Sequence, residues 1–125
     1  MDRLNTIQKK AKLNEVYRLG EPGPGGAHHD YEVHATGIQP APEWGTLLLS
    51  VHFQKGPRSE AESRNGVLDT DLLEIVRDRL SEFQAGEYAC EYNAQALMHV
   101  EKALKLMNMR VEDRLKRNVL GTTEK

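Results

Sequence analysis

Asn93-Ala-Gln-Ala-Leu97-Met-His-Val100-Glu-Lys-Ala-Leu104-Lys-Leu-Met107-Asn-Met-Arg110-Val111-Glu-Asp-Arg114 is the stretch that decides the fold. Leu97, Val100, Leu104, Met107 and Val111 recur in steps of three and four, which is the seam of a long amphipathic helix. The spacing predicts one helix from about Glu87–Glu91 to Arg117, stopped by Gly121-Thr122, with 118–125 as a tail. A seam of this length asks for a partner helix. Its ends are polar: Asn93 in front and Arg114 behind, with Arg110 one turn before Arg114 on a neighbouring face.

Upstream, Leu72, Leu73, Val76, Leu80 and Phe83 form one apolar face of a second helix. Thr70 or Asp71 is the expected cap, with Glu74 three residues after Asp71, and Gly86 the expected stop. Asn65-Gly66 reads as a turn and Lys55 to Asn65, with Gly56-Pro57, as a loop. Thr46 to Phe53 is the strongest strand signal, ending in alternation with Val51 in, His52 out and Phe53 in. Val16–Leu19 and Tyr31–Ala35 read as further strands around the breaker cluster Gly20–Gly26. Pro40, Pro42 and Gly45 mark another connection, and residues 1–14 a polar, partly helical or frayed lead. The expectation is an α+β chain of order β-β-β-α-α: a small N-terminal antiparallel sheet (1–57), then a two-helix hairpin (69–117), all within one domain of 125 residues.

The bulk numbers exclude several classes. Hydrophobic residues make up 38% of the chain and there is no long apolar run, so no membrane helix is expected. Met1-Asp2-Arg3-Leu4 has no signal-peptide character. A net charge of −2 gives no reason to expect DNA or RNA polymer binding. The single cysteine, Cys90, rules out an internal disulfide framework and suits a reducing cytoplasm.

Candidate chemistry is sparse. Gly23-x-Gly25-Gly26 is not set between strand and helix in a βαβ unit, so it reads as a hairpin tip rather than a phosphate cradle. His28-His29-Asp30, with His34 and His52, reads as an exposed, inert histidine pair rather than a metal site. Cys90 lacks a nucleophile's signature and fits a small buried hydrophobe better. Glu112 and Asp113 are suited to orienting Arg110, Arg114 or Arg117. No catalytic residue, metal or cofactor is expected.

Phe83, Asn93, Arg110 and Arg114 remain. Each can be read blandly, as core, first-turn or solvated residues. Yet Asn93 and Arg114 stand about 31 Å apart along a helix and cannot serve one small ligand in one chain. In an antiparallel pair of these helices, crossing near Ala103 and Leu104, Asn93 of one copy meets Arg114 of the other. Two identical pockets then form at the ends of a two-fold dimer. Each has an aromatic face, an amide and two guanidiniums, the composition of a nucleotide pocket.

Several blocks in fixed order resemble a known family: Val51-His52-Phe53-Gln54-Lys55-Gly56-Pro57, Asn65-Gly66-Val67, Asp71–Val76, Arg79–Leu97, and Arg110 through Arg114 to Arg117-Asn118-Val119-Leu120-Gly121-Thr122. These resemble the phage Thoeris anti-defence family of the first type, the signal sponges. Its helical portion is related to phage sponges that counter CBASS immunity. The resemblance covers about residues 46–123. It implies a non-enzymatic protein that acts in the cytoplasm of the infected bacterial host. There it would sequester intact the cyclic ADP-ribose isomers made by TIR-domain defence proteins. It also implies homodimers or hexamers, the latter able to hold cyclic di- or trinucleotides. The family's pocket positions match Phe83, Asn93, Arg110 and Arg114, and an arginine after the Gly-Pro matches Arg58. The chain departs from the pattern in a longer, more charged Arg58–Arg64 connection, in Asn118 where glycine is common, and in Leu120 where an acidic residue is common. The rival readings are an oligomeric interaction module acting directly on a defence protein, and a sponge mainly for cyclic oligonucleotides.

Overall fold

The computed structural model describes residues 1–37 and 45–125; the expected connection at Pro40 and Pro42 lies outside them. Two compact units are present, Met1–Gly56 with Glu62–Gly66, and Pro57–Ala61 with Val67–Lys125.

The first unit is an antiparallel sheet of four strands in the order β1 (Asp2–Arg3), β2 (Asn14–Leu19), β3 (Asp30–Ala35) and β4 (Thr46–His52). Strand β1 replaces the helical or frayed lead expected of residues 1–14. It is two residues long and pairs with β2, Asp2 opposite Arg18 and Arg3 opposite Tyr17, with a long ion pair of 3.9 Å between the Asp2 and Arg18 side chains. The Gly20–Gly26 segment joins β2 to β3, as its breakers predict. Gly23 N donates to Ala27 O and Gly26 N to Gly23 O, so these amides serve the loop itself. Register between β3 and β4 slips at Val33/His34, where Val33 faces Leu49 and His34 faces Leu47. Leu48 is thus the extra residue of a bulge.

The sheet's core is small: Tyr17, Ala35 and Val51. Beside them His34 is buried, its ring edge-on to Tyr17 at 5.2 Å and its Nε2 2.8 Å from Glu32 Oε1. Two glycines are steric necessities. A Cβ on Gly45, at φ +80°, would sit 2.2 Å from Ala35 O, and one on Gly66 2.3 Å from His52 O. Leu47, Leu48 and Leu49, on the edge strand β4, are about half exposed.

The histidine pair is half-buried rather than exposed, and His29 packs against Gly23. At that end of the sheet Arg64 grips Asp30 with both terminal nitrogens, at 3.0 and 3.3 Å, while His52 Nδ1 lies 2.7 Å from the same carboxylate. These bonds, His52 first and Arg64 second, hold the Asp30 carboxyl below its usual range. The stability they lend is therefore present above the ordinary aspartate pKa of about 3.9 and is lost as pH falls through the lower folded value. Asp30→Asn is expected to cost about 1 kcal/mol at pH 7, because the site is partly exposed. The difference from wild type should shrink in denaturation series run toward pH 3; a difference that stays constant with pH contradicts this role.

The second unit is the helical hairpin, α1 (Asp69–Gln84) and α2 (Glu91–Lys116). Helix α1 starts earlier than expected. Leu68 is the N-cap residue, and Asp71 serves from the third helical position, accepting from Leu68 N at 2.8 Å. Leucine has no side-chain acceptor, so only this half of a capping box forms. The helix ends at Ala85 in ordinary helical conformation, and Gly86 takes no left-handed geometry. Cys90 is exposed, not buried, and caps α2: its Sγ accepts from Asn93 N at 3.4 Å.

Seam residues Leu97, Val100, Leu104 and Met107 are half-buried, while Val111 is exposed. Arg77 of α1 reaches Glu101 of α2 at 2.9 Å. Ile75, Val76, Phe83, Met98, Leu106 and Met109 remain exposed, and Arg114 is the one residue of either helix that is buried. One hairpin therefore leaves its apolar surface incompletely covered.

Candidate functional site

The hairpin separates the candidate residues into two groups. Helix α1 has 16 residues and α2 has 26, so α2 runs on beyond its partner by about ten residues, or about 15 Å. Phe83, in the last turn of α1, and Asn93, in the first turn of α2, lie at the hairpin's tip. Arg110 and Arg114 lie at the far end of α2.

At the tip, Phe83 is 40% exposed, so part of its ring is open to a ligand. Arg79, one turn earlier, holds its guanidinium carbon 5.5 Å from the ring centroid, within cation–π range. Gln84 Oε1 accepts from Cys90 N at 3.0 Å and fixes the turn before α2. The Asn93 backbone is engaged by the cap, whereas its side-chain amide makes no hydrogen bond among the described residues. The sequence reading passed over Arg79; its position four residues before an aromatic on one helix was the available signal.

The far end is a cationic corner. Arg110 is exposed and makes no hydrogen bond or ion pair among the described residues. Arg114 is 6% exposed, and its Nη2 donates to Val119 O at 3.0 Å and to Thr122 O at 3.2 Å. It clasps the carbonyls of the turn that follows its own helix. That turn depends on Asn118 at φ +57°, a left-handed position that favours glycine and that asparagine tolerates. Asp113 pairs with Arg117 at 3.0 Å, and Glu112 accepts from Asn108 rather than from an arginine. Ser59 Oγ donates to Gly121 O at 3.0 Å, tying the Pro57–Ala61 segment to this same turn. The exposed Arg58, next to Ser59, therefore belongs to the Arg110 and Arg114 end.

The structure thus brings Phe83 together with Asn93, and Arg58 together with the end that carries Arg110 and Arg114, but it does not bring the two groups together. One end offers ring and amide; the other offers fixed positive charge. No group of three or more His, Cys, Asp or Glu side chains placed to hold a metal ion occurs among the described residues. Nor is any described helix long and apolar enough to cross a membrane.

Residues 49–112 match the family described as Acb2/Tad1, hairpin domain. The chain is also 44% identical over 78 residues to a protein of Bacillus phage SBSphiJ7 named Thoeris anti-defense 1. That alignment covers 62% of this chain and 54% of the phage protein, so the chain spans about half the length of the relative it matches. The family match takes in both helices down to Glu112, including Phe83, Asn93 and Arg110; Arg114 lies two residues past its end. By this match the chain belongs to the Acb2/Tad1 hairpin-domain family.

Proposed function

We propose that this chain is a phage anti-defence protein that acts on Thoeris immunity by binding a cyclic ADP-ribose signal and holding it intact, in the cytoplasm of the infected cell. The observation that carries the reading is the separation of the two half-sites on one hairpin. A ligand with both a purine and a pyrophosphate needs both halves. Two copies pairing α2 antiparallel would supply them twice, once at each end.

The roles follow from the side chains. The exposed Phe83 ring offers a stacking surface for adenine, backed by Arg79. The uncommitted Asn93 amide can hydrogen-bond the base or a ribose. Arg110 gives the pyrophosphate a guanidinium fork, which suits two phosphate oxygens better than an ammonium does. Arg114, committed to the carbonyls of its own turn, adds charge from a fixed position. Arg58 borders the same corner. Sequestration requires affinity and abundance, not turnover, so no base or nucleophile need stand in the pocket. Cys90 at the tip serves as a helix cap.

Calorimetry with the purified protein and cyclic ADP-ribose isomers, followed by denaturation and recovery of the ligand, tests this directly. The expected result is saturable binding and intact ligand on release. Recovery of a linear product would establish an enzyme instead. The exposed apolar side chains of the hairpin also fit an interaction module that grips a defence protein. A thermal-melt screen separates the two, because a tight ligand raises the melting temperature by mass action. No shift with any cyclic nucleotide favours the module.

A further inference from the structure

We infer that the sheet unit carries a second anion site, independent of the hairpin, that takes the pyrophosphate group of a nucleotide or free pyrophosphate in a basic cleft between β1 and β2. The cleft has a volume of about 370 Å³ and is lined by Arg3, Leu4, Asn5, Lys9, Lys12 and Glu15. That is near the small end of the range for ligand sites, roughly 300–1,000 Å³.

Three cations and one carboxylate face this cleft, in a chain whose net charge is −2. Glu15 is engaged by Lys12 at 3.2 Å. Lys12 also reaches Thr6 Oγ1 at 3.3 Å, and Lys9 bonds the Asn5 side-chain oxygen. The Arg3 guanidinium makes no hydrogen bond or ion pair among the described residues. Lys9 and Lys12 line the same cleft as Arg3, on a loop that is itself fixed by hydrogen bonds. Leu4 N donates to Val16 O at 2.8 Å and anchors the start of the loop on β2. Gln8 Nε2 bonds Lys10 O and Ala11 O, at 3.3 and 3.4 Å. Ala11 is left-handed at φ +53°, a conformation that costs an ordinary residue about 1–2 kcal/mol. This kink separates Lys9 from Lys12, and both of them line the cleft while Lys10 does not. A left-handed alanine on the loop that carries Lys9 and Lys12 is backbone strain of the kind found at binding sites. Arg3 supplies the fork and the lysines the point charges. With Leu4 as its one apolar lining residue, the cleft suits phosphate rather than a base.

The test is an amide-resolved NMR titration of the full chain at low salt with ADP, inorganic pyrophosphate and adenosine. ADP and pyrophosphate are expected to shift the amides of Leu4, Asn5 and Lys9–Glu15, and adenosine to leave them in place. Tighter binding of ADP than of pyrophosphate assigns the site to nucleotides; equal binding assigns it to the phosphate group alone. Arg3→Ala with Lys9→Ala should weaken binding at these amides at least about tenfold, with the remaining spectrum reporting an intact fold. Arg3→Gln alone, which keeps the backbone pairing of β1, should weaken it about threefold, as for one exposed charge contact. An absence of shifts at these amides with either phosphate, or equal shifts in Arg3→Gln, overturns the site. Neither result bears on the hairpin pocket.

Discussion

Replacing Ala103 and Leu106 by glutamate is expected to leave a monomer with intact helices and no measurable ligand affinity. Asn93 and Arg114 are equidistant from a point between Ala103 and Leu104, so an antiparallel pair that joins the half-sites must cross there. Ala103 is half-buried and small enough for close approach of two backbones; Leu106 is 56% exposed in the single chain. The carboxylate of Ala103→Glu meets its own copy across the two-fold axis with no lysine or arginine one turn away on its own helix, whereas the one at 106 stands one turn from Lys102 and Arg110. An uncompensated buried charge costs about 3–5 kcal/mol, which weakens association about a hundredfold or more. Neither position takes part in the Arg77–Glu101 ion pair that links α1 to α2, so the hairpin itself should persist. Sedimentation and circular dichroism read the two properties separately. A variant that remains a dimer places the crossing elsewhere, and a monomer that still binds ligand removes the need for a second copy.

The helical part of the fold was the most legible in the sequence. Helix α2 follows its seam closely, because a period of 3.6 sustained over many turns leaves little freedom. Helix α1 was found with its start misplaced, since an acid at the third helical position looks much like one at the cap. Strand β1 was illegible: Asp2 and Arg3 carry no alternation, and pairing with β2 makes them a strand. The apolar run Leu47–Leu49 announced a strand but not its edge position, which is set by the strand order.

Of the candidate residues, the helix positions of Phe83, Asn93 and Arg110 were readable from the apolar pattern. Arg114 was placed correctly at the seam's end, but its clasp on Val119 and Thr122 was not foreseen. That clasp depends on the reversal at Asn118, a backbone event that periodicity does not report. The Ser59–Gly121 latch that brings Arg58 to the same corner joins residues far apart in the chain, beyond the reach of any local pattern.

The central claim is that each pocket takes its aromatic and amide from one chain and its arginines from another. Arg110→Ala should weaken ligand binding by about 2–5 kcal/mol, the cost of deleting one partner of a desolvated charge pair, or at least about thirtyfold. Phe83→Ala with Asn93→Ala should do the same from the other side. Neither variant touches Ala103 or Leu106, so both should remain dimers. In a mixed dimer of the two, one pocket carries every lesion and the other carries none. Calorimetry on the co-expressed, purified mixture is therefore the decisive measurement. The account predicts high-affinity binding restored to about a quarter of the pockets, since random pairing puts about half of the dimers in the mixed form and each has one intact site. Two inactive variants that stay inactive when mixed would show that the pocket lies within a single chain, and would contradict the account.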